Sequence, residues 1–228
     1  MTRIKICGIT TPGDALACAA AGADLLGLNF YRPGPRYVSP SRAAEIVRAI
    51  RGNPARAGTI LVGIFVDEDP DHIAYTMDEI GLDAAQLSGD EPPEHLAQLG
   101  GRGYKAIRPA DPGELEATLA SILPYPPDRA DLPGGLLDAH HETLYGGTGK
   151  TVGLELARTA VRTIPRMMLA GGLRPDNVAH RIREIAPWGV DTASGVETDT
   201  PGIKDMERVR AFVAAVRTVD GGAHDEAK

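Results

Sequence analysis

Cys7 and Asp138 each close a short apolar run, Ile4-Lys5-Ile6-Cys7-Gly8 and Leu136-Leu137-Asp138-Ala139, in distant parts of the chain. A thiol and a carboxyl facing one pocket make a base and acid pair. Along the first run, alternation puts Ile4 and Ile6 on one face and Lys5 and Cys7 on the other. In a barrel the isoleucines would meet helices and Cys7 would face the interior rim. The plainer reading of Cys7 is a small buried hydrophobe. Asp138 follows apolar residues and glycine, so its carboxylate must be solvated, paired or functional. Its plainer reading is a loop cap on backbone N–H groups.

Two glycine-rich segments suggest an anion site: Leu169-Ala170-Gly171-Gly172-Leu173 and Asp191-Thr192-Ala193-Ser194-Gly195-Val196-Glu197. Backbone N–H groups at Gly171, Gly172, Ser194 and Gly195 could cradle phosphate, although tight turns alone also select glycine. Arg36 sits in Tyr31-Arg32-Pro33-Gly34-Pro35-Arg36-Tyr37, a stiff loop from which a guanidinium could grip a carboxylate with two bonds. An ordinary surface arginine is the alternative. Gly146-Gly147-Thr148-Gly149-Lys150 lacks P-loop spacing and reads better as a flap. His140-His141-Glu142 has side chains that diverge, so no metal site is expected. Met167 and Met168 read as core.

These residues need elements to hold them. Apolar runs at 3–7, 24–30, 59–66, 83–87, 104–107, 135–138, 167–170 and 190–193 alternate with helical patterns. The helices fall at 12–21, 40–51, 70–80, 92–99, 112–122, 152–163, 175–185 and 203–218, several with proline in the first turn. Such alternation in 228 residues favours an α/β fold, a (β/α)8 barrel of parallel strands, over an open doubly wound sheet. Phosphate would then sit after the seventh and eighth strands. The barrel is expected to form one domain over residues 1–219, with a frayed tail at 220–228. The proline-rich stretch 124–133 reads as a connector on the face opposite the site.

Composition narrows the partners. A net charge of -7 argues against nucleic acid but leaves room for a local positive pocket. Two cysteines suit a reducing cytosol, and no leader or membrane-spanning run is read, so a cytoplasmic protein is expected. The sequence is compatible with a monomer and with a homodimer.

Taken together, the chain resembles the phosphoribosylanthranilate isomerase family of tryptophan biosynthesis. The resemblance is carried by Lys5-Ile6-Cys7-Gly8, Asn29-Phe30-Tyr31, Pro35-Arg36-Tyr37-Val38-Ser39-Pro40, Gly147-Thr148-Gly149-Lys150, Ala170-Gly171-Gly172-Leu173 with Asn177, and Ser194-Gly195-Val196-Glu197. It implies a (β/α)8 barrel performing an Amadori rearrangement of a phosphorylated small molecule, with no cofactor. By the same resemblance, Cys7 is the general base and Asp138 the general acid. Arg36 contacts the anthranilate carboxylate, and Gly172, Ser194 and Gly195 bind phosphate. The chain departs from the family pattern at Gly34, Ser88, Thr192-Ala193 and Val152-Gly153-Leu154. Alternatives on this scaffold are a ProFAR-type isomerase, for which an aspartate in place of Cys7 would speak, another phosphate-binding barrel such as a lyase, and a catalytically silent phosphoribosyl-ligand-binding barrel. At ordinary pKa values a Cys is only about 3% thiolate at pH 7 and an Asp about 0.1% protonated, so linked titrations and a bell-shaped pH profile are expected.

Overall fold

The structure, a computed structural model, describes residues 1–138 and 149–222. Strands and helices alternate as β1(Arg3–Ile6), α1(Pro12–Ala21), β2(Leu25–Asn29), α2(Pro40–Arg51), β3(Ile60–Phe65), α3(Pro70–Ile80), β4(Ala84–Leu87) and α4(Glu94–Gln98). They continue as β5(Gly103–Ile107), α5(Pro112–Ile122), β6(Gly135–Asp138), α6(Gly149–Thr163), β7(Met167–Ala170), α7(Val178–Ile185), β8(Gly189–Thr192) and α8(Met206–Gly222). The strands are all parallel and close in chain order, β8 pairing with β1, so the (β/α)8 barrel replaces the open-sheet alternative. Of the expected flap Gly146-Gly147-Thr148-Gly149-Lys150, residues 146–148 lie outside the described residues, as does the His140-His141-Glu142 triplet, while Gly149 and Lys150 open α6.

Period-two alternation divides the apolar residues into two layers. Leu25, Val62, Tyr104, Leu136 and Met168 fill the barrel interior. Ile4, Ile6, Leu26, Leu61 and Val190 face outward and pack on helix residues such as Ile46, Met77 and Phe212. Helix starts follow local chemistry. Thr11, Ser39, Asp69 and Asp111 accept bonds from backbone N–H groups of the first turn, each followed by proline.

Helices α4, α6, α7 and α8 depart from the sequence reading at one or both ends, α6 starting at Gly149 rather than 152, and three of the starts have a local cause. α4 begins at Glu94 behind Pro93, which offers no side-chain cap. α7 begins at Val178 because Asn177 Oδ1 accepts from Arg174 N at 2.8 Å, turning the chain before the helix. α8 begins at Met206, after Asp205 caps the N–H groups of Glu207 and Arg208, and continues to Gly222. Near that end Asp220 accepts from Thr2 N and Thr2 Oγ1, both at 2.9 Å, and from Arg217 Nη1 at 3.0 Å. This clasp joins the start of β1 to the last helix. The stretch 124–133 meets Gly101 and Arg166 on other helix-to-strand loops, which sets it on the face away from the strand C-termini. Among the described residues, no helix is long and apolar enough to cross a membrane.

Asp220→Ala should cost about 1–3 kcal/mol, the worth of bonds to a charged group. Each kcal/mol should appear as a fall of roughly 2–4 °C in the thermal midpoint. An unchanged melting curve would show the clasp to be idle.

Candidate active site

A cavity of about 520 Å³ opens at the C-terminal ends of the strands. Its wall includes Cys7, Arg36, Asp138, Gly171, Gly172, Ser194 and Gly195, the residues nominated from sequence. Cys7 follows β1 and Asp138 ends β6, so they approach from different sides of the mouth. Gly27 on β2 makes room for the thiol: a Cβ there would stand 2.8 Å from Cys7 Sγ.

Beneath Cys7 lies a buried polar chain whose members Lys5, Ser88 and Asp191 the sequence reading named without linking them. Lys5 Nζ donates to Asp191 Oδ2 and to Gln86 Oε1, both at 2.9 Å. Tyr104 also donates to Gln86 Oε1, and Gln86 Nε2 donates to Ser88 Oγ. Burial alone would drive the proton from Lys5. The Asp191 carboxylate outweighs it, with Cys7 and Tyr104 assisting, so Lys5 stays charged well above the ordinary lysine range. Asp191 Oδ1 is buried and has no hydrogen-bond partner among the described residues. That oxygen remains available to a polar group entering the cavity, which Asp191 also lines. Burial likewise pushes the Cys7 thiol up, and the Lys5 and Lys204 ammoniums pull it back without overcoming burial.

Arg36 sits differently from a free fork. Its Nε and Nη2 donate to Glu197 Oε1 and Oε2 at 2.8 and 2.6 Å, so one edge of the guanidinium is committed and only the other can meet a ligand. Glu197 also accepts from Lys204 Nζ at 2.8 Å and from Gly202 N at 3.1 Å. Burial opposes its charge, but the bonds from Arg36 and Lys204 prevail and hold the carboxyl at about 2. Lys204, itself fully buried, donates to the Cys7 carbonyl at 2.6 Å, tying this clamp to the mouth. Nothing in the spacing of Lys204 or Glu197 marked them as partners of Arg36. They meet because the loop after β8 folds over β1.

The glycine segments form a concave backbone surface. Gly171 and Gly172 have φ of 96° and 62°, a region other residues enter at a cost. Thr192 Oγ1 donates to Leu173 O at 2.7 Å, locking the loop after β7 to the end of β8. A Cβ on Gly195 would come within 2.0 Å of Leu173 O, so this approach admits only glycine. Ser194–Val196 then forms a single 3-10 turn, and Asn177 Nδ2 braces the other side by donating to Gly172 O at 2.9 Å. Arg108, after β5, reaches the mouth too; its Nε donates to Asp138 Oδ2 at 3.1 Å and its Nη1 to Ser88 O at 3.0 Å. No group of three or more metal-ligating side chains occurs among the described residues.

Closed parallel strands, glycine cradles after β7 and β8, and ionisable groups around the mouth define a (β/α)8 barrel enzyme with its site at the C-terminal face. Comparison with known proteins narrows the class. The profile of N-(5'-phosphoribosyl)anthranilate (PRA) isomerase matches residues 4–215, and the chain belongs to that family. It is 44% identical over 223 residues to the N-(5'-phosphoribosyl)anthranilate isomerase of Chlorobaculum parvum, covering 96% of this chain and 97% of that one. It is 42% identical to the isomerase of Rubrobacter xylanophilus, covering 96% of this chain and all of that one. The crystal structure of phosphoribosyl anthranilate isomerase from Thermotoga maritima superposes with a TM-score of 0.79 at 34% identity, covering 97% of this chain and 100% of that one. A structure of such an isomerase with reduced 1-(o-carboxyphenylamino)-1-deoxyribulose 5-phosphate has a TM-score of 0.79 at 31% identity, covering 96% of this chain and 100% of that one.

Two outcomes follow from the charges. Glu197→Gln should cost about 3–5 kcal/mol at neutral pH, because it leaves Lys204 buried without a counter-charge. The folded pKa of Glu197 is depressed, so its stabilisation is complete above the ordinary glutamate value of about 4.3. It is lost as pH falls toward about 2, and the gap between wild type and variant should narrow over that window in denaturant titrations. The raised Cys7 pKa predicts a rate of alkylation by iodoacetamide whose midpoint lies above that of a free cysteine, about 8.5. Cys18, buried and pushed up to about 12, should stay unmodified in the folded protein.

Proposed function

We propose that this protein is an N-(5'-phosphoribosyl)anthranilate isomerase. It would convert the aminoaldose to its 1-deoxyribulose 5-phosphate isomer in tryptophan biosynthesis, in the cytoplasm. The reading is supported above all by one cavity that Cys7, Asp138 and the Gly172-Ser194-Gly195 cradle line together. The two free cysteines suit a reducing compartment.

The chemistry needs a proton delivered and a proton removed. Asp138 protonates the ring oxygen, the bond from that oxygen to C1' breaks, and the nitrogen lone pair forms an iminium. The cation acidifies C2', so neither a metal nor an organic cofactor is required. Cys7 takes the C2' proton, and the released pair forms an enolamine. Tautomerisation delivers a proton to C1' and leaves the ketone at C2'. The cradle after β7 and β8 holds the phosphate, and the open edge of Arg36 contacts the anthranilate carboxylate.

Cys7 must be a thiolate to act. The nearby Lys5 and Lys204 ammoniums favour that form against burial. Because burial prevails in the free protein, turnover limited by the base should climb with pH beyond neutrality.

Rescue of a tryptophan auxotroph tests the activity, with direct assay on this aminoaldose and on that of histidine biosynthesis. Cys7→Ser and Asp138→Asn should each lower kcat by about 10²–10⁴-fold while the reduced product analogue still binds. Arg36→Met should act mainly on KM. Near-normal turnover in both acid-base variants, or turnover of the histidine-pathway substrate alone, would refute the reading.

A further inference from the structure

We propose that Arg108 is a second carboxylate-binding residue of this site, and that the ring carboxylate of the substrate draws it away from Asp138. The inference rests on the isomerase reading and assigns a specificity-determining and positioning role that the acid-base pair does not supply. Arg36 and Arg108 both line the cavity, but they are held differently. Arg36 gives a whole edge to Glu197, which is 3% exposed and fastened a second time by Lys204. Arg108 is half exposed and gives Asp138 one bond, from Nε, while Nη1 donates to the carbonyl of Ser88. Its Nη2 donates to no described group and stands ready for a ligand.

The position suits the aromatic end of the substrate. Phosphate lies toward β7 and β8, and Cys7 and Asp138 act on the sugar, so the ring extends toward β3, β4 and β5. There Ile64 and Val66 offer an apolar wall beside Ser88, with Arg108 at its edge. A carboxylate on the ring meets a planar fork with two oxygens, a better partner than a single Asp138 oxygen. Half-exposed ion pairs are weakly held, so the exchange is an easy one. It frees Asp138 Oδ2 from a donor just where the acid needs to present a proton to the ring oxygen. Recognition of the carboxylate and readiness of the acid thereby become one event.

The test compares two ligands on wild type, Arg108→Met, Arg108→Lys and Arg36→Met. One ligand is reduced 1-(o-carboxyphenylamino)-1-deoxyribulose 5-phosphate; the other is the same compound without the ring carboxyl. Titration calorimetry should find that Arg108→Met weakens the first ligand roughly ten- to hundredfold and leaves the second unchanged. Arg108→Lys should recover part of the loss. Equal weakening of both ligands would overturn the proposal, as would no weakening of either or complete loss of carboxylate discrimination in Arg36→Met alone. Those results leave the isomerase reading standing if wild type turns over the aminoaldose. Failure of wild type to turn it over and to bind the carboxylated ligand would overturn both.

Discussion

Where β8 meets β1 and the barrel closes, Lys5 and Asp191 stand directly opposite each other and form a buried ion pair. A lysine inside a barrel is tolerable only with a counter-charge, and removing one partner of such a pair costs about 3–5 kcal/mol. A slip of one residue would turn Asp191 to the helix side and leave Lys5 alone, so the pair selects this closing register over its neighbours. Cys7 lies two residues beyond Lys5, and Ala193-Ser194-Gly195 begins two beyond Asp191. Thiol and cradle therefore reach the same mouth because of a charge pair buried below them.

A second set of charges covers that floor. Lys204 comes from the chain before α8, Glu197 from the loop after β8, and Arg36 from the loop after β2. Lys204 also donates to the carbonyl of Cys7, so the clamp sets the backbone that carries the thiol. The two ammoniums act on Cys7 from below and from the side, and both oppose burial. The thiol at the cavity wall thus sits between burial, which favours its neutral form, and two cations, which favour the thiolate.

Much of this was legible because strand periodicity and strand ends are local signals. The parity of Ile4, Lys5, Ile6 and Cys7 placed the thiol inward, and proline after Thr11, Ser39, Asp69 and Asp111 marked four helix starts to the residue. Gln86, Tyr104 and Asp191 share the inward parity of their strands, so a stricter use of the same rule would have put them beside Lys5. Lys204 and Arg108 carried no such mark. Both lie outside the strands, and a charged residue in a loop looks alike whether it meets solvent or a buried carboxylate.

The amino-acid sequence by itself determined the alternation of strands and helices, the side of each strand that faces inward, and the residue types able to transfer protons and hold an anion. Those follow from backbone sterics, side-chain period and intrinsic chemistry, all properties of neighbours in the chain. Tertiary structure alone decided the partners: Asp191 for Lys5, Glu197 for Arg36, Arg108 for Asp138. Each is a meeting of groups far apart in the chain, and only barrel closure brings their charges within a few ångströms, where burial and attraction compete.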